Sequence, residues 1–326
     1  MHENMTLAMK LKKYDPGFLW RLYRIRRGKM DPMELTIYLQ KYYGRLTMDE
    51  LKIELARAFH TRTGETLDLE HPVTLNQKVQ WLKLNENSPQ KSRLADKNEA
   101  REWVAETIGG QYLTRRLGVY DRFDDIPFDA LPDRFALKCT SGSGMNHIVH
   151  DKSKLDMAAL KKECDGWLRR NYGYTETVEL HYRAIVPRIM VEEYLENVEG
   201  DLYDYKVHCF GGVPKCVQVV HGRFGVESME FYDLDWKPLG FVGCSNKDVI
   251  HIGETERPAE LDELLDLARR MSRDFTYVRV DFYVVKGHIY FGEMTFTPAA
   301  GFLHWDDQRG NQLMGSWLEL PIQAGK

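Results

Sequence analysis

An arginine and two carboxylates stand close together toward the C-terminal end of this 326-residue chain. Residues 277–298 read as two β-branched and aromatic runs on either side of Lys286-Gly287, the pattern of a hairpin. Alternation with period two puts Arg279, Asp281 and Tyr283 on one face of the first strand. The same count gives Phe291, Glu293, Thr295 and Thr297 a common face on the second. If the two polar faces coincide, Arg279, Asp281 and Glu293 converge. Adjacent carboxylates repel unless something compensates them. A divalent metal is the usual compensation, and Mg²⁺ suits one or two carboxylates completed by phosphate oxygens. The plainer alternative is an Asp281–Arg279 ion pair with Glu293 turned to water.

A second cluster lies mid-chain. Phe135-Ala136-Leu137-Lys138-Cys139 reads as a buried strand, where a lysine is costly unless paired with a charge. Thr140-Ser141-Gly142-Ser143-Gly144-Met145-Asn146 follows, and a strand resumes at His147. The backbone N–H groups of such a loop can fold over phosphates, although a plain hairpin turn gives the same sequence. No Lys-Ser/Thr follows the glycines, so this is not a P-loop, and no helix follows as a dinucleotide turn requires. Ser143 is not in a G-x-S-x-G elbow. Further on, an apolar strand runs into Glu192-Glu193-Tyr194-Leu195, and Asp204, Lys206 and His208 alternate on one face of the next.

Around these clusters the chain is an ordinary globular one, 43% apolar and 29% charged, long enough for two or three subdomains. The net charge of −4 argues against broad nucleic-acid binding. Cys139, Cys164, Cys209, Cys216 and Cys244 include no CxxC pair, which argues against a disulfide framework or zinc site and fits a reducing cytoplasm. No apolar run is long enough to span a bilayer, and the N-terminus lacks a signal-peptide core. Residues 1–30 are basic and partly amphipathic, either a helix packed on its own domain or one that touches an anionic membrane surface or a partner. Helices are expected from Pro32 to about Thr61, after a Thr74/Gln77 capping box, from Asp96 to Ile108 with a stop at Gly109-Gly110, from Leu155 to Asn171, and from Pro258 to Arg273.

In order, these pieces resemble the nucleotide site of the ATP-grasp superfamily, and within it the TupA-like branch named for teichuronopeptide biosynthesis. The residues that carry the resemblance are Thr74-Leu75-Asn76-Gln77-Lys78-Val79-Gln80-Trp81-Leu82-Lys83-Leu84, Ala95-Asp96-Lys97, Leu137-Lys138-Cys139-Thr140-Ser141-Gly142-Ser143-Gly144, Glu192-Glu193-Tyr194-Leu195, Asp204-Tyr205-Lys206, Phe231-Tyr232-Asp233-Leu234-Asp235-Trp236, Arg279-Val280-Asp281 and Phe291-Gly292-Glu293-Met294-Thr295-Phe296-Thr297-Pro298. They cover roughly residues 62–320.

The resemblance implies an α+β ATP-grasp fold, two subdomains clasping ATP. It gives a helical extension at 1–61, a region ahead of the clasp at 62–134, a first subdomain with the lid at 135–200 and a second with the metal hairpin at 201–326. It implies that Lys138 and Lys206, with Lys97, hold the ATP phosphates and that Ser141, Gly142, Ser143 and Gly144 form a lid. Glu192, Glu193, Tyr194 and Leu195 line the adenine pocket, Glu192 accepting from the amino group, and Glu199 or Asp201 reaches the ribose. Asp281 and Glu293 bind Mg²⁺, with Thr295 where many of these enzymes have Asn, and Arg279 stabilises the transferred phosphoryl group. The implied activity is carboxylate–amine ligation through an acyl phosphate. Its setting is attachment of an amino acid or peptide to a uronic acid of a bacterial surface polysaccharide, in the cytoplasm or at the membrane periphery. Three rivals stand beside it: a glycosyltransferase using Asp233-Leu234-Asp235 as a metal-binding D-x-D, a kinase on the same fold, and a non-catalytic ATP-binding scaffold. Residues 304–309 and the tyrosines and arginines of 172–183 are candidates for an acceptor pocket.

Overall fold

Strand pairing gathers each cluster on one face of its own antiparallel sheet. The computed structural model of the chain describes residues 20, 23–24, 27–29, 31–175, 177–195, 202–222, 228–245, 251–253 and 255–322. Most of the basic N-terminal stretch and the ribose candidates Glu199 and Asp201 lie outside the described residues.

Helices come first. Asp31 caps α1 (Pro32–Tyr43), and a Thr47/Glu50 capping box opens α2 (Met48–Thr63), which stops at Gly64 in the left-handed region. The single helical run expected from 32 to 61 is therefore two helices, broken at Gly44. Helix α3 (Leu75–Asn85) starts at the Thr74/Gln77 box, with both reciprocal hydrogen bonds formed. Helix α4 (Pro89–Ala95) was not expected; Ser88 at its cap and Pro89 in its first turn are its only signals. The Asp96 carboxylate accepts from the amides of Asn98 and Glu99 and turns the chain, so α5 (Ala100–Thr107) begins later than the sequence suggests.

The first sheet holds β1 (Arg116–Tyr120), β2 (Phe135–Cys139), β3 (Asn146–Val149) and β4 (Ile189–Glu193) in the order β1-β4-β2-β3. Strand β1 comes from ahead of residue 134. One face packs Phe135, Leu137, Ile189 and Val191 against Leu160, Cys164 and Trp167 of α6 (Met157–Leu168). Alternation sends Lys138 and Glu192 to the other face.

The second sheet holds β5 (Asp204–Phe210), β6 (Val213–His221), β7 (Ser228–Tyr232), β9 (Tyr277–Val285) and β10 (His288–Thr295) in the order β10-β9-β5-β6-β7. A short β8 (Gly243–Cys244) pairs with β11 (His304–Trp305). Val207, Val217, Val278, Val280 and Phe282 pack under Leu261, Leu264, Ala268 and Met271 of α7 (Leu261–Ser272), the amphipathic helix read from the sequence. The opposite face is divided. At one end Phe210, Phe231 and Tyr277 pack on α3 and on α8 (Gln308–Trp317); at the other lie the charged residues.

The hairpin departs from strict alternation in one place. Its register pairs Phe291 with Phe282 and then Glu293 with Asp281, so Gly292 is an extra residue in a β-bulge. Phe291 therefore belongs to the apolar core, whereas Glu293 and Thr295 turn to the charged face. Phe291 and Glu293 do not share a face as expected. Gly292 suits the bulge because an added Cβ would come within 3.1 Å of the Asp281 carbonyl and the Tyr283 ring.

Two histidines are sealed in neutral form. Burial, with help from Arg279, pushes His208 down to about 3, and its Nδ1 lies 2.9 Å from the Tyr277 hydroxyl. Burial also pushes His181 down to about 3, with Lys91 and Lys83 adding to it. An unfolded histidine protonates near pH 6.5, so each contributes stability that is complete above that pH and is lost as pH falls toward 3. Urea denaturation of the parent and of His208→Gln at pH 7.5 and 5.0 tests this. The parent should lose more stability than the variant over that interval; equal losses would show that His208 is protonated in the fold.

Candidate active site

Register alone lines up the charged row. Glu293 on β10 pairs with Asp281 on β9, and Asp281 pairs with Lys206 on β5. One step along, Thr295 pairs with Arg279. The Arg279 guanidinium grips Asp281 with both arms, Nε to Oδ1 and Nη2 to Oδ2, each at 2.7 Å. Lys206 Nζ donates to Asp281 Oδ2 at 3.0 Å and lies 3.2 Å from Asp204 Oδ2. Glu293 is held loosely: Lys97 Nζ is 3.5 Å from one oxygen and Arg279 Nη2 is 3.9 Å from the other. Burial pushes the Asp281 carboxyl up, but Arg279 and Lys206 outweigh it and hold the group at about 2. Burial and Asp281 raise Glu293, and Lys97, Arg279 and Lys206 more than offset them. Both acids are therefore ionised at neutral pH.

On the facing sheet Lys138 ends 2.7 Å from Glu192 Oε2. The other Glu192 oxygen accepts from Arg101 Nη1 at 2.7 Å and from the Thr114 hydroxyl at 2.6 Å. Burial alone would raise Glu192, and Lys138, Thr114 and Arg101 together outweigh it. Three donors, Lys138, Arg101 and Thr114, thus surround this carboxylate. Arg101 and Thr114 carried no signal in the sequence, since both contacts join distant segments.

The Ser/Gly loop is tied down on one side. Lys97 donates from Nζ to the Gly142 carbonyl at 2.6 Å and from its backbone to the Thr140 carbonyl at 2.9 Å. A Cβ on Gly142 would come 2.4 Å from the Tyr172 ring, so the loop lies flat on that tyrosine. Ser141 and Gly142 are buried, while Ser143 and Gly144 are exposed and Gly144 has open space beside it. The exposed lid thus begins at Ser143. The Ser141 hydroxyl is buried with no hydrogen-bond partner among the described residues.

Beyond β10 the backbone is strained. Ala299, Ala300 and Gly301 lie in succession at φ 47°, 53° and 72°. A non-glycine residue there costs of order 1–3 kcal/mol. Helix α3 holds this turn from below with Gln80 and Lys83, and Asn76, buried on the same stripe, holds the Leu303 carbonyl just beyond it. Leu75, Val79 and Leu82 form an adjacent apolar stripe.

These residues fit a phosphate and metal site. Lys97, Lys138, Lys206 and Arg279 supply cationic donors, and the orphaned Ser141 hydroxyl adds a neutral one. Asp281 and Glu293 offer oxygens only, the donor set Mg²⁺ prefers. Glu293, with 32% of its side chain exposed and its hydrogen-bond and ion-pair partners among the described residues at 3.4–3.9 Å, is the better placed of the two to accept an ion. Thr295 adds a hydroxyl 3.4 Å from Glu293 Oε1.

Other sequence candidates are used elsewhere. Asp233 Oδ1 accepts from the amides of Asp235 and Lys237, and Trp236 stacks on Tyr232, so the D-x-D is a turn. Trp305 packs on Phe231 and Phe241, Asp306 accepts from the Val242 amide, and Asp307 caps α8. That segment sits beside β7 and β8 rather than at the β9–β10 edge, because β11 pairs with β8. In contrast, Tyr172 and Tyr182 lie within the electrostatic reach of Glu293.

Comparison with known proteins gives one family. The family model described as TupA-like ATPgrasp matches residues 77–319. No curated protein matches the chain. Among solved structures, a D-alanine–D-alanine ligase from Bacillus anthracis complexed with ATP is 18% identical over 64% of this chain and 55% of its own, with a TM-score of 0.36. The ATP-grasp ligase PsnB complexed with a minimal precursor is 15% identical over 64% and 55%, TM-score 0.37. A D-alanine–D-alanine ligase from Helicobacter pylori is 13% identical over 69% and 61%, TM-score 0.36. The chain thus spans 55–61% of the length of these structures.

The Glu192 junction gives a stability test. Glu192→Gln strands Lys138 and Arg101 without a counter-charge, and breaking a buried pair in this way costs roughly 3–5 kcal/mol. Adding Lys138→Met should recover part of that loss in urea denaturation. Two losses that simply add would show that Lys138 and Glu192 are not coupled.

Proposed function

The chain belongs to the TupA-like ATP-grasp family and has the ATP-grasp fold, and on that premise we propose that it is an ATP-dependent carboxylate–amine ligase. The observation that carries this reading is the cation and carboxylate cluster between the two sheets, with the Ser/Gly loop at its rim. In this reading Lys138, Lys206 and Lys97 bind the ATP phosphates as point charges. Ser141 and Gly142 form the fixed base of the loop and Ser143 and Gly144 close over the phosphates, while Glu192, Glu193, Tyr194 and Leu195 border the adenine. Glu192 serves as the anchor of Lys138. Asp281 and Glu293, with Thr295 beside them, hold Mg²⁺, which when bound neutralises phosphate charge. Arg279 meets the charge that builds on the transferred phosphoryl group.

The reaction we infer transfers the γ-phosphoryl group of ATP to a carboxylate, after which an amine displaces phosphate to give an amide, ADP and phosphate. The cluster contains no activated serine or cysteine. Its residues orient and neutralise, which is what phosphoryl transfer asks of a protein. Ser143 and Gly144, the exposed tip of the loop, exclude water from a short-lived acyl phosphate. A uronic acid of a bacterial surface polysaccharide as the acid, and an amino acid or peptide as the amine, are the substrates we propose from the family. Among the described residues no helix is long and apolar enough to cross a membrane. Cytoplasmic action, with the basic N-terminal segment touching a membrane or an assembly enzyme, is part of the same proposal.

Two measurements test the reading. ADP or ATP with Mg²⁺ should raise the melting temperature, ligand at about 100 times its dissociation constant adding roughly 2.7 kcal/mol; a shift with a UDP-sugar alone would favour a glycosyltransferase. With hydroxylamine as the amine, ATP, Mg²⁺ and candidate uronates, hydroxamate should accumulate in step with ADP. ADP with a stable phosphorylated alcohol and no hydroxamate would make the protein a kinase.

A further inference from the structure

We propose that Lys83 is a positioning residue of this site, holding the left-handed turn that follows Glu293 and Thr295 in place from beneath. The inference rests on the ATP–Mg²⁺ reading above. Its starting point is an unusual placement: Lys83 is 1% exposed and gives its ammonium to no surface anion. Instead Nζ donates to the Ala300 carbonyl at 2.8 Å and to Gln80 Oε1 at 2.6 Å, and it sits 4.7 Å from the centre of the Phe302 ring. Gln80 in turn donates from Nε2 to the Ala300 carbonyl at 3.2 Å and to the Gly301 carbonyl at 2.6 Å. Asn76 completes the row, donating to the Leu303 carbonyl at 2.8 Å. Two side chains on one helix stripe thus grip the carbonyls of a single turn, and a third holds the chain just beyond it.

That turn needs a grip. Ala299 and Ala300 carry side chains at positive φ, a conformation that L residues resist when nothing fixes them. Gly301 cannot bear a side chain either, since a Cβ would fall 2.4 Å from Gln80 Nε2. Immediately upstream, the Thr297 hydroxyl donates to Glu179 at 2.6 Å, and Glu179 is the carboxylate whose charge opposes the burial of Lys83. The path from Lys83 through Ala300 to Thr297 and on to Thr295 and Glu293 is short and continuous. A helix placed ahead of both sheets therefore fixes where the metal-facing end of β10 points.

Hydrogen exchange and calorimetry test this on the full chain. The Ala300 amide donates to the Thr297 carbonyl and the Phe302 amide to the Ala299 carbonyl, so both report on the turn. In Lys83→Met these two amides should exchange about tenfold faster, while amides of the central strands keep their protection. The tightening of ADP binding by Mg²⁺ should fall about tenfold, with metal-free ADP binding unchanged. Adding Ala300→Gly, which takes this backbone conformation without steric penalty, should restore both readouts. A general loss of stability would not be repaired in that way. Unchanged exchange at Ala300 and Phe302, equal weakening of ADP with and without Mg²⁺, or no recovery with Ala300→Gly overturns the proposal. If Lys83→Met does not fold, Gln80→Leu, which removes the two Nε2 donations to the same turn, takes its place under the same criteria. A parent protein that binds ADP no more tightly with Mg²⁺ overturns the ATP–Mg²⁺ reading itself, and exchange at the turn then decides the role of Lys83.

Discussion

Asp281 is a buried anion between two cations, and much of the site follows from keeping it so. Removing water from a carboxylate is costly, and only partners of opposite charge at hydrogen-bond distance repay it. Arg279 and Lys206 do this from the same strand and the next, which requires β9 and β5 to pair in one register. Glu293 enters the same field from β10 and is neutralised in turn by Lys97. Lys138 and Glu192 repeat the arrangement on the other sheet. In such a balanced cluster an incoming anion takes over lysines that were serving carboxylates, and an incoming cation takes over the carboxylates. Either alone leaves an imbalance; the two together do not. A nucleotide and its metal are matched to that condition.

Local chemistry made much of this legible in advance. The Thr74/Gln77 box, the Lys286-Gly287 turn, the α7 stripe and the strand around Lys138 each sit within a few residues of the signals that specify them. What escaped depends on partners far away in sequence. Strand β1 is defined by its pairing with β4, some 70 residues on. The partners that Glu192 finds in the structure, Arg101, Thr114 and Lys138, come from three separate segments. Asn76, Gln80 and Lys83 carry no signal of their own, since a helix that buries polar and apolar rows side by side has no single hydrophobic face. The acceptor candidates at 304–309 were near in sequence but were carried away by the pairing of β11 with β8.

The helical region ahead of the first sheet contributes more than a cover. Lys97 reaches both the Ser/Gly loop and Glu293, Arg101 secures Glu192, and α3 supports the turn after β10. Each links one sheet to the other or fixes a loop between them. The two sheets supply the charged side chains, and the segment from α3 to Thr114 sets their relative positions. A boundary drawn at residue 134 would separate the site from part of its own frame.

The extra residue at Gly292 has a consequence for counting. A hairpin strand ordinarily has one parity: once the turn is fixed, odd positions face one way and even positions the other. The bulge switches parity midway, so the half of β10 near the turn and the half near Thr295 follow opposite rules. Drawing Gly292 into the ladder opposite Asp281, with no residue lost, would place Glu293 opposite Val280 and send its carboxylate into the apolar layer beneath α7. A one-residue gap at Gly292 in an alignment of relatives would by contrast leave the charged row intact, since Phe291 opposite Phe282 and Glu293 opposite Asp281 are the pairs a regular ladder gives.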